Sequence, residues 1–66
     1  MTLTVNGRPF RSARALSVDG LVGELTEARR GVAVAVNGTV VPRSTWGEVF
    51  LSDGDAVEVL TAAQGG

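Results

Sequence analysis

Two Asn-Gly pairs restrict this chain more than any other feature of it. Asn6-Gly7 follows "TLTV" and Asn37-Gly38 follows "VAVAV". A two-residue hairpin favours positive φ at its central positions, and asparagine and glycine adopt positive φ at least cost. An alternating or β-branched run ending in Asn-Gly therefore predicts a strand that turns straight back on itself. The first return strand should run from about Arg8 to Ser12. Pro9 cannot donate to a ladder, so that strand belongs at a sheet edge. In the second hairpin Val32, Val34 and Val36 point one way, Ala33 and Ala35 point the other, and Pro42 ends the return strand.

Between the hairpins the period changes. Val18, Leu21, Val22 and Leu25 fall at i, i+3, i+4 and i+7, which predicts a helix with one apolar stripe. Ser17 is placed to cap it, and Asp19 suits its positive first turn. Arg29, Arg30 and Gly31 predict its C-terminal end. Gly20 and Gly23 weaken the helix, and one or the other suggests close contact with a sheet. Beyond the second hairpin, "RSTWG" predicts a short helical turn capped by Ser44, with Trp46 as a packing anchor. "SDGD" predicts a tight turn and "AVEVLTA" a last strand. The order ββαββ-turn-β predicts an α+β fold, a mixed sheet covered on one face by a single helix.

Composition excludes most chemistry. The 66 residues form one domain, 1–66, and contain no cysteine, histidine or lysine. Thiolate and imidazole metal ligands are therefore missing, as are Ser–His, Cys–His and Schiff-base schemes. Asp53 and Asp55 flank Gly54, but a turn explains "DGD" better than a metal or acid–base pair. The expectation is a protein that is not an enzyme, with no catalytic residue, no metal ligand and no bound cofactor. Residues 1–33 carry five arginines against three acids, net +2, while residues 34–66 are net −3. No dense basic stripe exists to bind nucleic acid. With no signal-peptide pattern and no apolar run near ~20 residues, no membrane partner is expected and a cytoplasmic location is the default.

By elimination attention moves to "TAAQGG" at residues 61–66. Gly65 and Gly66 have no Cβ and can enter a channel too narrow for side chains. Four residues beyond Ala62 reach at most about 13–14 Å. That distance can carry the α-carboxylate of Gly66 into another protein's active site, making residues 63–66 a flexible tethered substrate. If Val57 and Val59 face the helix, then Glu58, Leu60 and Ala62 face outward with Ala33, Ala35, Thr2 and Thr4. Those small and apolar residues form a candidate docking patch.

"GVAVAVNGTVVPRSTW" followed by "LSDGDAVEVLTAAQGG" resembles the sulfur carriers of thiamine biosynthesis, the ThiS family. The resemblance covers nearly the whole chain, including "VDGLVGEL"; its most specific parts are Val41-Pro42-Arg43-x-x-Trp46 and the Gly-Gly end. Ala63 departs from it mildly, since a bulkier aliphatic residue is common there. It implies a ubiquitin-like β-grasp fold of about five strands and one helix, with the last strand beside the first. It also implies that an activating partner, a ThiF-type adenylyltransferase, uses ATP and magnesium to adenylate the carboxylate of Gly66. Sulfur originating from cysteine, brought by a sulfur-donating enzyme, then displaces AMP and leaves a thiocarboxylate. Thiazole synthase, ThiG, takes that sulfur into the thiazole ring. Gly66 is then the modified residue, and Gly65 and Gln64 are the tail that presents it.

Two alternatives stand beside this reading. One is a carrier of a related pathway, such as the small subunit of molybdopterin synthase, which usually is longer and lacks the Val-Pro-Arg-x-x-Trp pattern. The other is a β-grasp interaction module whose tail is passive. The missing lysine and cysteine have a further meaning for a carrier. An acyl-adenylate reacts readily with amines and thiols, whereas arginine stays protonated, so no side chain here competes for the activated carboxylate. A plain compositional preference for arginine explains the same fact.

Overall fold

The computed structural model describes residues 1–28 and 30–62. Strands β1 (Thr2–Val5) and β2 (Arg8–Arg11) form the first hairpin, and helix α1 (Val18–Leu25) follows. Strands β3 (Val32–Val36) and β4 (Thr39–Val40) form the second, and β5 (Ala56–Thr61) comes last. In space the order is β2-β1-β5-β3-β4. The last strand thus inserts between the two hairpins, parallel to β1 and antiparallel to β3. β2, with its Pro9, lies at an edge as expected.

Both turns have the geometry that their residues predict. Asn6 and Gly7 have φ of 52° and 81°, and Asn37 and Gly38 have 52° and 85°. Positive φ at both central positions matches the right-handed twist of the strands they join. Thr2–Val5 then pairs with Arg11–Arg8, and Val36 with Thr39. The alternation holds in three dimensions: Leu3, Val5, Val34, Val57 and Val59 are buried under the helix side of the sheet.

The helix begins where Ser17 predicts, and its first donors are all satisfied. Ser17 Oγ accepts from Gly20 N–H at 3.0 Å, and Leu21 N–H donates to the Ser17 carbonyl. Val18 N–H and Asp19 N–H donate to the carbonyls of Val49 and Trp46 on the loop packed across this end. With the Leu21 bond the first within the helix, the three orphan donors of Val18, Asp19 and Gly20 are thereby paired. Val18, Leu21 and Val22 are buried, but Leu25 is 41% exposed at the rim.

The other end of the helix differs from expectation. It stops at Leu25, with Thr26 extended at φ −155° and capping through its N–H to the Val22 carbonyl. Thr26 Oγ1 accepts from Ala28 N–H at 3.0 Å, and this local side-chain turn competes with helix continuation. Arg30 therefore lies beyond the helix, and Arg29 lies outside the described residues. Gly31 does not cap the helix; its φ of 70° serves the entry to β3. Nor does either helix glycine mark a close approach to the sheet: an added Cβ at Gly23 would meet nothing within 4 Å, and at Gly20 only Leu16 and Ser17.

The connection from β4 to β5 folds as a strap under Trp46. A single helical turn, Arg43–Thr45, is preceded by Pro42 with no side-chain cap, so Ser44 does not cap it as expected. Thr45 Oγ1 instead donates to the Pro42 carbonyl at 2.9 Å. Trp46 is 4% exposed and its Nε1–H donates to the Val41 carbonyl at 2.9 Å, while the Arg43 guanidinium lies 5.2 Å from its ring centre. The tryptophan is the packing anchor the sequence suggests, with its one polar atom satisfied. Among the described residues no helix is long and apolar enough to cross a membrane.

Candidate docking face beside the end of the last strand

The open face of the sheet follows from register. Ala33 stands opposite Leu60, Ala35 opposite Glu58 on one side and opposite Val40 on the other, and Thr4 opposite Ala56. Paired residues share a face, so Val40, Ala35, Ala33, Glu58 and Leu60 lie together away from the helix. Leu60 is 70% exposed and Val40 71%. Two large apolar side chains with small alanines between them leave room for another surface to approach closely. Glu58 adds a carboxylate to this face, and Ala62 is exposed beyond Leu60.

Of the residues expected to form the site, Glu58, Leu60 and Ala62 are thus exposed on or beside one face. Gln64, Gly65 and Gly66 lie outside the described residues. Val40 was not foreseen as part of the face, although the two-residue turn at Asn37-Gly38 fixes it opposite Ala35. Leu25, Thr26, Leu60 and Thr61 line an open groove beside the same strand end.

The carboxylates of "SDGD" are occupied by backbone N–H groups and one asparagine amide. Asp53 Oδ1 accepts from Thr2 N–H at 2.6 Å. Asp55 accepts from Ser52 N–H at 2.7 Å and from Asn37 Nδ2–H at 3.0 Å. Asp53 ties the turn to β1, and Asp55 closes the turn and fastens it to the second hairpin. Among the described residues no three potential metal ligands come together.

Two asparagine side chains that the sequence assigned only to turns extend the ladders that hold β5 in position. Asn6 Oδ1 accepts from Val59 N–H at 2.8 Å and its Nδ2 donates to the Val59 carbonyl at 3.1 Å. On the opposite edge Asn37 Oδ1 accepts from Ala56 N–H at 2.9 Å. Each amide carries the ladder past the point where its own main chain turns away. The signal for this role was present in the choice of asparagine over aspartate, since only the amide can both donate and accept at neutral pH.

A five-stranded mixed sheet crossed by one helix, with the last strand inserted beside the first, defines a ubiquitin-like β-grasp protein. The crystal structure of the thiamine biosynthesis protein ThiS from Geobacter metallireducens superposes with a TM-score of 0.81 at 41% identity, covering 92% of this chain and 93% of that one. The family model of ThiS matches residues 3–66, and the chain belongs to the ThiS family. It is accordingly of the carrier type and not an enzyme. It is 29% identical over 66 residues to the sulfur carrier protein ThiS of Escherichia coli K12, covering all of both chains. It is also 36% identical over 66 residues to a thiazole synthase of Paramagnetospirillum magneticum. The chain spans about one fifth, 20%, of the length of that synthase.

Proposed function

We propose that this protein is the sulfur carrier of thiazole formation in thiamine biosynthesis, with the Gly66 carboxylate as its cargo site. The observation that carries the reading is the family match over residues 3–66, which runs through Gly65-Gly66. A ThiF-type partner docks on the open sheet face and takes residues 63–66 into its active site. There the carboxylate oxygen attacks the α-phosphorus of ATP, with magnesium held by the partner, and pyrophosphate leaves. The acyl-adenylate is then open to a sulfide-level nucleophile derived from cysteine and delivered by a sulfur-donating enzyme. Sulfur bonds to the carbonyl carbon, AMP leaves, and a thiocarboxylate remains. Thiazole synthase next takes up that sulfur; a ThiS-like segment within relatives of that name supports it as the second partner. The chain itself supplies no acid, base or metal to these steps. Its contribution is a rigid, recognisable handle and a terminal segment without bulky side chains.

Intact-protein mass spectrometry after incubation with ATP, magnesium, the activating enzyme and a sulfur source tests the reading. The expected result is a gain equal to exchange of one oxygen for sulfur, located at Gly66. A variant lacking Gly66 should show no gain. No change in the full chain, under conditions that convert the Escherichia coli carrier, would refute the reading. Undiminished partner-dependent function without Gly66 would mean a passive interaction module.

A further inference from the structure

Gly31 and Ala62 meet where the chain enters β3 and leaves β5. The ladder register makes Val32 the partner of Thr61, and one step further Ala62 N–H donates to the Gly31 carbonyl. This is the last backbone bond before residues 63–66. Gly31 has φ +70°, and a Cβ built on it would lie 2.9 Å from the Cβ of Ala62. Carbon atoms do not approach so closely, so any side chain at position 31 must push Ala62 away.

We infer that Gly31 is a positioning residue for the carrier reaction: by letting Ala62 close against the strand entry, it sets where the terminal segment starts. This rests on the function proposed above. The argument is one of length and freedom. From Ala62 the segment reaches at most about 13–14 Å, so a displaced starting point shortens what can enter a partner's site. Loss of the Gly31–Ala62 bond also frees Ala62, and its ordering must be repeated in each productive complex. Leu60, Ala33 and Val40, the centre of the docking face, are untouched by either effect, and only Ala62 at its margin moves. The change should therefore fall on turnover after docking rather than on docking.

The test is a double-mutant cycle on activation by the adenylating partner. Gly31→Ala should lower kcat about tenfold, equivalent to about 1.4 kcal/mol, with KM changed less than twofold. Gly31→Ala combined with Ala62→Gly removes the colliding methyl and should return kcat to that of Ala62→Gly alone. Positive φ at an alanine persists in the double variant, so its thermal midpoint should stay lowered while turnover recovers. A purely structural role would move both together. Amide exchange gives a second readout: protection of the Ala62 N–H should be lost in Gly31→Ala. Wild-type kcat in Gly31→Ala, or the same loss with and without the Ala62 methyl, would overturn the inference while leaving the carrier function standing. Absence of activation in the wild-type chain would instead overturn the carrier function and this inference with it. An unprotected Ala62 N–H in the wild type would overturn the inference by itself.

Discussion

The side chain of Asn6 is bonded twice to the backbone of Val59, a residue 53 positions away. Asn6 N–H also donates to the Val57 carbonyl at 2.8 Å. In a regular parallel ladder the Asn6 carbonyl would accept from Val59 next. The chain turns at that point, and the amide oxygen stands in for the main-chain oxygen. One residue therefore makes the first hairpin and locks the last strand beside it.

Replacing Asn6 by glycine preserves the positive φ and removes the two amide bonds. The buried edge of β5 then keeps an unpaired N–H and carbonyl at Val59. A loss of about 1–3 kcal/mol is expected in urea unfolding at unchanged m-value. Stability within 0.5 kcal/mol of wild type would show that water replaces the amide at no cost.

Trp46 offers a separation of packing from polarity. Trp46→Phe retains most of the buried ring but strands the Val41 carbonyl, a cost of about 1 kcal/mol. Trp46→Ala empties the space under the strap and should cost about 3–5 kcal/mol. Calorimetric melting of both variants checks the ratio; equal effects would mean that the indole N–H carries the whole contribution.

Leu60 is exposed and opposite Ala33, so its truncation leaves the core intact. Leu60→Ala should alter unfolding stability by less than about 0.5 kcal/mol. In the activation assay it should raise KM about tenfold, the loss of a central apolar contact of about 1.4 kcal/mol. An unchanged KM would remove the open sheet face as the docking surface.

The absence of lysine can be reversed at Leu25. This residue borders the groove shared with Leu60 and Thr61, near the start of the terminal segment. With a reach of about 13–14 Å, the activated carboxylate of residue 66 can meet an amine placed there. Leu25→Lys should yield an internal amide on adenylation, seen as loss of one water from the chain mass and reduced thiocarboxylate. Product yield equal to wild type would leave arginine preference as the explanation.

Local preference made much of this protein readable. Asn-Gly fixes two turns through φ, alternation separates Leu3 and Val5 from Thr2 and Thr4, and Ser17 marks a helix start. These depend on neighbours a few residues apart, which is the range over which dihedral preferences and periodicity act. Residues 61–66 drew attention for a different reason: the chain has no cysteine, histidine or lysine, and "AAQGG" does not build a core.

The helix end was misplaced because Arg29, Arg30 and Gly31 carry a helix-terminal pattern, while Thr26 forms a side-chain turn that stops the helix earlier. Val40 joined the docking face only when hairpin register set it opposite Ala35. The partners of Asn6 and Asn37 are backbone groups of β5, and that of Gly31 is the N–H of Ala62 just beyond it, all chosen when that strand slid between two hairpins. Sequence by itself determined which segments turn, which faces are apolar and which terminal residues stay small. Tertiary structure alone decided what those turn residues hold, because hydrogen-bonding groups on distant segments acquire partners only after the sheet has brought them together.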